Sequence, residues 1–326
     1  MEHLKKLLDF FNKKKIIVWG DFILDEYIFT TTSRVSREAP VLVTELESKE
    51  YIPGGAGNVV MNLKTLGAQP IPVGFTGKNE DGTILKEIFK KHSITPDYIM
   101  GLDNYKTPKK SRILSGRENT KKQQVLRIDT LNKSEIEKNH YKVLEIALRE
   151  LLQEIDVLIV SDYLYESVKP HLFKKIKKEF PAKKIIIDSR NHLLEFRNVT
   201  FATPNEPEVK KMFPENNFRT AEDFHRAGQD LLTAIEAEGI ILKRGHKGMI
   251  VFEKDKNPAA IDIHGSSNIV DGTGAGDTVI SVLSLALSVG ADLQSAARLA
   301  NIAGGIVVMK EGAYPISLQE LQNELR

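Results

Sequence analysis

The sequence predicts an α/β fold: a doubly wound, mostly parallel sheet flanked by helices, with a small β-sheet lid. Three observations carry this reading. Apolar runs at 16–19, 157–160, 184–187 and 240–242 are short and rich in Ile and Val, as strands buried on both faces are. Segments with helical spacing lie between them at 134–153, 168–179 and 221–236, and such alternation is how parallel sheets are built. Two stretches, 27–52 and 98–129, break the alternation. They hold strand-like pieces, Val41-Leu42-Val43-Thr44 and Lys110-Ser111-Arg112-Ile113-Leu114, among turn residues, and read as a β element outside the main sheet. With no Gly, Ser or Pro-rich linker, repeat or low-complexity tract, residues 1–326 are expected to form a single domain with lid segments at 27–52 and 98–129.

Composition narrows the function. Hydrophobic residues make up 41% and charged residues 28% of 326, ordinary for a globular chain with a large core. Lys plus Arg (46) nearly balance Asp plus Glu (44), so the net charge of +2 gives no global case for nucleic acid or an anionic membrane. Without cysteine there can be no disulfide, thiolate metal site or Cys nucleophile, which fits a cytoplasmic protein. The start, Met1-Glu2-His3-Leu4-Lys5-Lys6 with Lys13-Lys14-Lys15 following, has neither the apolar region nor the cleavage site of a signal peptide. No run approaches the roughly 20 apolar residues of a membrane span, and a soluble chain is expected.

The strongest chemical signal is Asp271-Gly272-Thr273-Gly274-Ala275-Gly276-Asp277, a glycine-rich loop running into the helical segment 275–289. Amides at Gly274, Ala275 and Gly276, at the positive end of a helix dipole, suit developing charge on a phosphoryl group. Asp277 in the first turn would remain ionised and could accept a hydroxyl proton. The same pattern alone also describes an ordinary helix start with a capping acid. No Gly-x-x-x-x-Gly-Lys-Ser/Thr loop occurs, and the first strand leads into Gly20-Asp21-Phe22 without a dinucleotide fingerprint. A second loop, Pro53-Gly54-Gly55-Ala56-Gly57-Asn58, opens a helical segment at 58–66. Gly20-Asp21 and Asp25 read as the end of the first strand, where α/β sheets bind ligands, and carboxylates with Asn58 suit sugar hydroxyls. Judged singly, they read equally well as tight or solvated turns.

In this order, Gly20-Asp21 with Asp25, Gly54-Gly55-Ala56-Gly57-Asn58 and Asp271 to Asp277 resemble the carbohydrate kinases related to ribokinase, over nearly the whole chain. Thr203-Pro204-Asn205-Glu206-Pro207-Glu208 is similar to that family's Asn-x-x-Glu element. The resemblance implies a ribokinase-like fold, ATP and Mg2+ as cofactors, Asp277 as catalytic base and Gly274, Ala275 and Gly276 as anion hole. It places Asn205, Glu206, Pro207 and Glu208 at the nucleotide, with Asn205 and Glu208 serving the metal through water. It also puts Lys243, Gly245 and Gly248, from Lys243-Arg244-Gly245-His246-Lys247-Gly248, near the nucleotide and Asn301 beside adenine. From the residues alone, these are equally a hairpin and a polar helix position.

Within the family, Thr32-Ser33-Arg34-Val35-Ser36-Arg37-Glu38-Ala39-Pro40-Val41 resembles the signature of kinases acting on D-glycero-D-manno-heptose 7-phosphate. Lys110 to Ser115 and Gln124 to Asp129 resemble their sugar-site segments. The likeness implies substrate binding by Asp21, Asp25, Gly54, Gly55 and Asn58, with Arg34, Lys110, Arg112 and Arg127 for a sugar phosphate. Without it, basic residues on lid strands read first as solubility or edge protection. Arg37, Gly272 and Asp188-Ser189-Arg190 depart from the group's usual residues without removing a catalytic group. Many bacterial members carry a nucleotidyltransferase domain after the kinase, whereas this chain ends at Arg326. Phosphoryl transfer alone is therefore expected, giving heptose 1,7-bisphosphate on the way to ADP-heptose and lipopolysaccharide cores. A homodimer through the lid is expected too. The rivals are a kinase for another sugar or nucleoside, and a non-catalytic sensor on the same scaffold.

Overall fold

The computed structural model describes residues 2–12, 14–117, 120–132, 134–266 and 269–325; Lys13 of the basic run, 118 and 119 of the second lid segment and Arg326 lie outside them. Its first half contains α1 (Glu2–Leu8), β1 (Lys15–Val35), β2 (Leu42–Gly55), α2 (Ala56–Thr65), β3 (Gln69–Gly77), α3 (Glu80–Lys91), β4 (Ile99–Leu102), β5 (Lys109–Gly116), β6 (Gln123–Thr130) and α4 (Lys138–Glu154). The second continues with β7 (Val157–Asp162), α5 (Pro170–Glu179), β8 (Lys184–Ser189), β9 (Phe201–Ala202), α6 (Glu206–Met212), α7 (Ala221–Ala234), β10 (Gly239–Lys243), β11 (Met249–Glu253), β12 (Ala259–Ile261), α8 (Ala275–Ser288), α9 (Leu293–Val307) and α10 (Leu318–Glu324).

The main sheet runs β12-β11-β10-β9-β8-β7-β1-β3-β4. Its pairs are parallel except β10 with β11 and β11 with β12. Alternation along β1 sends Ile16 and Val18 to one core and Ile17 and Trp19 to the other, so both faces need helices. Val59 and Leu63 of α2, Leu285 of α8 and Ala300 of α9 cover the first face. Leu144 and Leu148 of α4, Phe173 of α5 and Leu231 of α7 cover the second. The chain winds outward from β1 through β3 and β4, then returns to β7 and winds the other way. β1 and β7 therefore flank the switch point, where a crevice opens beyond the strand ends.

Three sequence expectations change. The first strand does not end at Asp21 or Asp25. β1 runs for 21 residues. Its start pairs with β3 and β7, and from Phe22 onward it pairs with β2 antiparallel and from Leu24 with β5 parallel. Backbone groups that leave the main sheet find new partners at once, so the strand does not break. The second lid segment is also shorter than 98–129, because Ile99–Leu102 pairs with β3 as the main sheet's edge. The lid itself comprises the far half of β1 with β2, β5 and β6. Helix starts shift modestly: α4 begins at Lys138, not 134, and α2 at Ala56, not 58.

Candidate active site

Gly274 caps α8 in the left-handed region, at φ 79°, where an L side chain is strained. Space forbids one as well: a Cβ there would lie 2.5 Å from Asn58 Nδ2 and 3.2 Å from Ala313 Cα. The turn leaves the first amides of α8 without intrahelical acceptors; Ala275 N donates instead to the Gly272 carbonyl at 3.3 Å, and Gly274 and Gly276 line the adjacent polar cavity. Asp277 follows in the first turn, only 6% exposed. Its Oδ1 accepts the Tyr163 hydroxyl at 2.7 Å and its Oδ2 accepts Asn58 Nδ2 at 2.9 Å. Burial pushes its carboxyl up to about 6, while the Tyr163 and Asn58 hydrogen bonds and Lys243 pull down and Asp188 pushes up. Asp277 is therefore still a carboxylate at pH 7, although burial narrows the margin that the helix start alone would give.

A polar cavity of about 600 Å³ opens in front of Asp277, its wall including Asp25, Gly55, Lys110, Arg190, Gly274 and Glu208. A second cavity of about 440 Å³ has apolar walls from Ile263, Ile269, Val279 and Val308, with Gly245, Gly248 and Asn301 on its rim. The two share Asn205, Pro207, Lys243 and Gly276. One chamber suits hydroxyls and phosphates, the other a flat base, and they meet at the start of α8. Gly248, at φ 76°, closes the β10 to β11 hairpin where a Cβ would lie 2.0 Å from the Ile261 carbonyl. Asn301 Nδ2 donates to the Asp262 carbonyl at 2.8 Å, which fixes the side chain at the rim.

Asn205 and Glu208 first of all cap α6 reciprocally: Asn205 Oδ1 accepts the Glu208 amide and Glu208 Oε2 accepts the Asn205 amide, each at 2.9 Å. The motif therefore has a structural job beside any metal role. Pro207 sits at the helix start, where its missing N–H costs nothing, and Glu206 accepts Arg244 Nε at 2.6 Å. Burial, then Asp188, raises the Glu208 carboxyl. Burial opposes the charge of Lys243, yet Asp188, 2.8 Å away, and Glu208 hold its pKa above the ordinary value. Asp188, Glu208 and Asp277 all favour the charge of Lys243. Among the described residues no cluster of three or more acids or histidines is placed to hold a metal directly, so a hard cation here would have to keep its own waters.

On the lid, Arg112 reaches Asp25 at 2.7 Å and Arg127 reaches Asp129 at 2.9 Å. Gly54 makes room for that first ion pair, because a Cβ there would meet Asp25 Oδ2 at 2.4 Å. Lys110 stands 5.6 Å from the Tyr163 ring centroid and Arg190 4.5 Å. Burial, assisted by Arg190 and Arg112 and opposed by Asp25, lowers the Lys110 pKa. Four expected substrate residues are not on the cavity wall: Gly54 and Asn58 lie behind it, against Asp25 and Asp277, and two more lie elsewhere. Arg34 is exposed near the far end of β1, opposite Val43, outside the cavity wall. Asp21 is wholly buried, and its carboxylate accepts the amides of Tyr163, Tyr165 and Ser167 at 2.8, 3.0 and 2.9 Å, leaving it turned from the cavity.

Sequence reasoning missed Tyr163 and Asp162, and met Asp188 and Arg190 only as departures from a pattern. A usable signal existed: Ser161-Asp162-Tyr163 and Asp188-Ser189-Arg190 end the buried strands β7 and β8, beside the switch point.

Known proteins resemble this chain along nearly its whole length. The curated relatives include the bifunctional protein HldE of a Nitratiruptor species, 33% identical over 316 residues, 95% of this chain and 64% of that protein. HldE of Histophilus somni is 34% identical over 321 residues, 97% of this chain and 64% of that protein. The chain therefore spans under two thirds of these relatives' length. Among solved structures, ribokinase of Arabidopsis thaliana complexed with ribose and ATP superposes with a TM-score of 0.72 at 18% identity, covering 97% of this chain and 99% of that one. Phosphofructokinase-2 of Escherichia coli in complex with potassium gives 0.76 at 17%, covering 95% and 97%. The fold is ribokinase-like. With residues 13–320 matching the profile described as pfkB family carbohydrate kinase, the chain belongs to that family.

Proposed function

We propose that this chain is an ATP-dependent sugar kinase that transfers the γ-phosphoryl group to the anomeric hydroxyl of D-glycero-D-manno-heptose 7-phosphate, giving the 1,7-bisphosphate. The carrying observation is Asp277, set where a polar cavity and an apolar one meet at the first turn of α8. The sugar lies in the polar chamber and the adenine in the apolar one. Asp277 takes the hydroxyl proton as that oxygen attacks phosphorus in line, and the amides at 274–276 face the charge spread over the transferred group. Magnesium, bound beside Asn205 and Glu208 mostly through water, would neutralise charge on the nucleotide phosphates. Lys110 and Arg190 on the cavity wall favour an acceptor that already carries phosphate, and the HldE relatives support a heptose. Residues 1–326 act as one kinase unit in the cytoplasm, where ATP is available.

The test is turnover, followed by ADP release, on heptose 7-phosphate, ribose, fructose 6-phosphate and adenosine. Heptose 7-phosphate is expected to give the highest kcat/KM by at least about tenfold, roughly what one well-placed charged contact to the acceptor phosphate contributes. ATP bound but never consumed with any acceptor would identify a sensor instead.

We also propose that two copies associate through their lids. Leu126 and Ile128 alternate onto one face of β6, 55% and 53% exposed, and Leu46 of β2 is 61% exposed, which is apolar surface that a lone lid leaves wet. Leu126→Glu combined with Ile128→Glu is expected to turn a wild-type dimer into a folded monomer in sedimentation experiments at micromolar concentration. A wild-type monomer would refute the assembly.

A further inference from the structure

The segment linking β7 to α5 is held more thoroughly than a connector requires. Leu164 and Glu166 both adopt left-handed backbone, at φ 66° and 80°, a costly state for residues other than glycine that persists only where surroundings enforce it. The enforcement is visible. Asp21 accepts three amides, from Tyr163, Tyr165 and Ser167. Asp162 Oδ1 accepts the Leu164 amide at 3.0 Å. From the other side, the Tyr105 hydroxyl donates to the Tyr165 carbonyl at 2.7 Å, the Tyr141 hydroxyl to the Glu166 carbonyl at 2.7 Å, and Trp19 Nε1 to the Ser167 carbonyl at 2.9 Å. Side chains from β1, from α4, from the end of β7 and from the segment before β5 thus fix one short loop. That loop lines the cavity with Tyr163 and Tyr165, and the Tyr163 hydroxyl donates to Asp277 Oδ1.

We infer that Tyr163 is a positioning residue for the general base, held by the Asp21-anchored loop so that its hydroxyl fixes the Asp277 carboxylate against Asn58. This rests on the kinase reading above. With Tyr163 on one oxygen and Asn58 on the other, rotation of the carboxylate is restrained while Asp277 still lines the cavity. The same hydroxyl stabilises the ionised form of Asp277, which burial disfavours. The charged and titratable groups facing Asp277 are Asp188, which opposes its ionisation, and Lys243, which favours it, besides Tyr163 itself. The Tyr163 phenol stays protonated, since burial and then Asp277 hold its pKa well above the ordinary value. It is a donor throughout the working pH range. Arg190 and Lys110 lie against its ring, so replacement by Phe keeps both cation contacts and removes only the hydroxyl.

The experiment compares wild type with Tyr163→Phe in two ways: the acid limb of kcat/KM, and the titration of the Asp277 carboxyl carbon by NMR in the ligand-free protein. The base must be ionised, so wild-type kcat/KM should fall as pH drops through about 6. Losing one donor should move both the limb and the NMR titration up by about 0.7 unit, the equivalent of one hydrogen bond, and lower kcat by about tenfold with KM for ATP unchanged. Should the Phe variant fold poorly, 3,5-difluorotyrosine at 163 keeps the bond and strengthens the donor, and both midpoints should move down. Midpoints unmoved by either replacement, with kcat within about twofold of wild type, would overturn the role. Absence of turnover with every sugar would defeat the kinase reading alone, because the NMR titration still judges the Tyr163 contact.

Discussion

Asp277→Asn is expected to fold, to bind ATP as the wild type does, and to lose about 10²- to 10⁴-fold in turnover, the usual contribution of a general base. The substitution keeps shape and an acceptor oxygen for the Tyr163 hydroxyl but removes basicity at the point where α8 meets the cavity. The nucleotide side should be untouched, since Asp277 lines the polar cavity and is absent from the apolar one. Steady-state ADP release on the preferred sugar, with calorimetric titration of ATP, gives both readouts. Turnover within about tenfold of wild type would remove Asp277 from the role of base, because positioning and charge neutralisation would then suffice.

Asp21→Ala is expected to cost stability more than any other single change in the site. It strands the amides of Tyr163, Tyr165 and Ser167, and a buried donor without a partner costs about 1–3 kcal/mol. The sum is on the order of 3 kcal/mol or more, a large share of the roughly 5–15 kcal/mol that keeps a domain folded. The left-handed residues Leu164 and Glu166 lose their restraint at the same time, so activity should fall along with stability. Asp21→Asn, which keeps one acceptor oxygen but brings an N–H group towards other donors, should fall between. Urea unfolding at pH 7 measures both variants, and a loss below about 1 kcal/mol for Asp21→Ala would show that water replaces the carboxylate at little cost.

Local chemistry was legible in the sequence wherever residue type dictates backbone. Three glycines before an acid and an apolar helical segment announced the Gly274 turn and Asp277, and β-branched runs announced β7, β8 and β10. What a side chain faces was not legible. Asp21 reads like a ligand-binding acid at a strand end, yet its carboxylate turns to backbone amides 142 to 146 residues away along the chain, a direction that no local pattern encodes. Tyr163 was invisible for the same reason, its partner being 114 residues distant. β1 was cut short because strands of about five or six residues are the norm and Gly20 resembles a terminator, whereas the strand only exchanges its neighbours there. Asn205 and Glu208 were recognised as a metal motif, although Asn-x-x-Glu is equally a capping-box pattern, and the structure forms that box at the start of α6.

The lid is a prolongation of β1 rather than an excursion between two elements, since the same strand pairs with β3 and β7 at one end and with β2 and β5 at the other. It is therefore not a removable module. A chimaera intended to exchange acceptor preference between relatives cannot swap a loop; it must splice inside a central strand and preserve parity, because a one-residue slip would turn Asp25 and every inward side chain beyond it to the opposite face. Lineages that diversify their sugars on this scaffold should accordingly do so by point substitution along β1, β2 and β5, with chain length conserved between Gly20 and Phe29, ahead of the register shifts that the β1 to β2 pairing already absorbs.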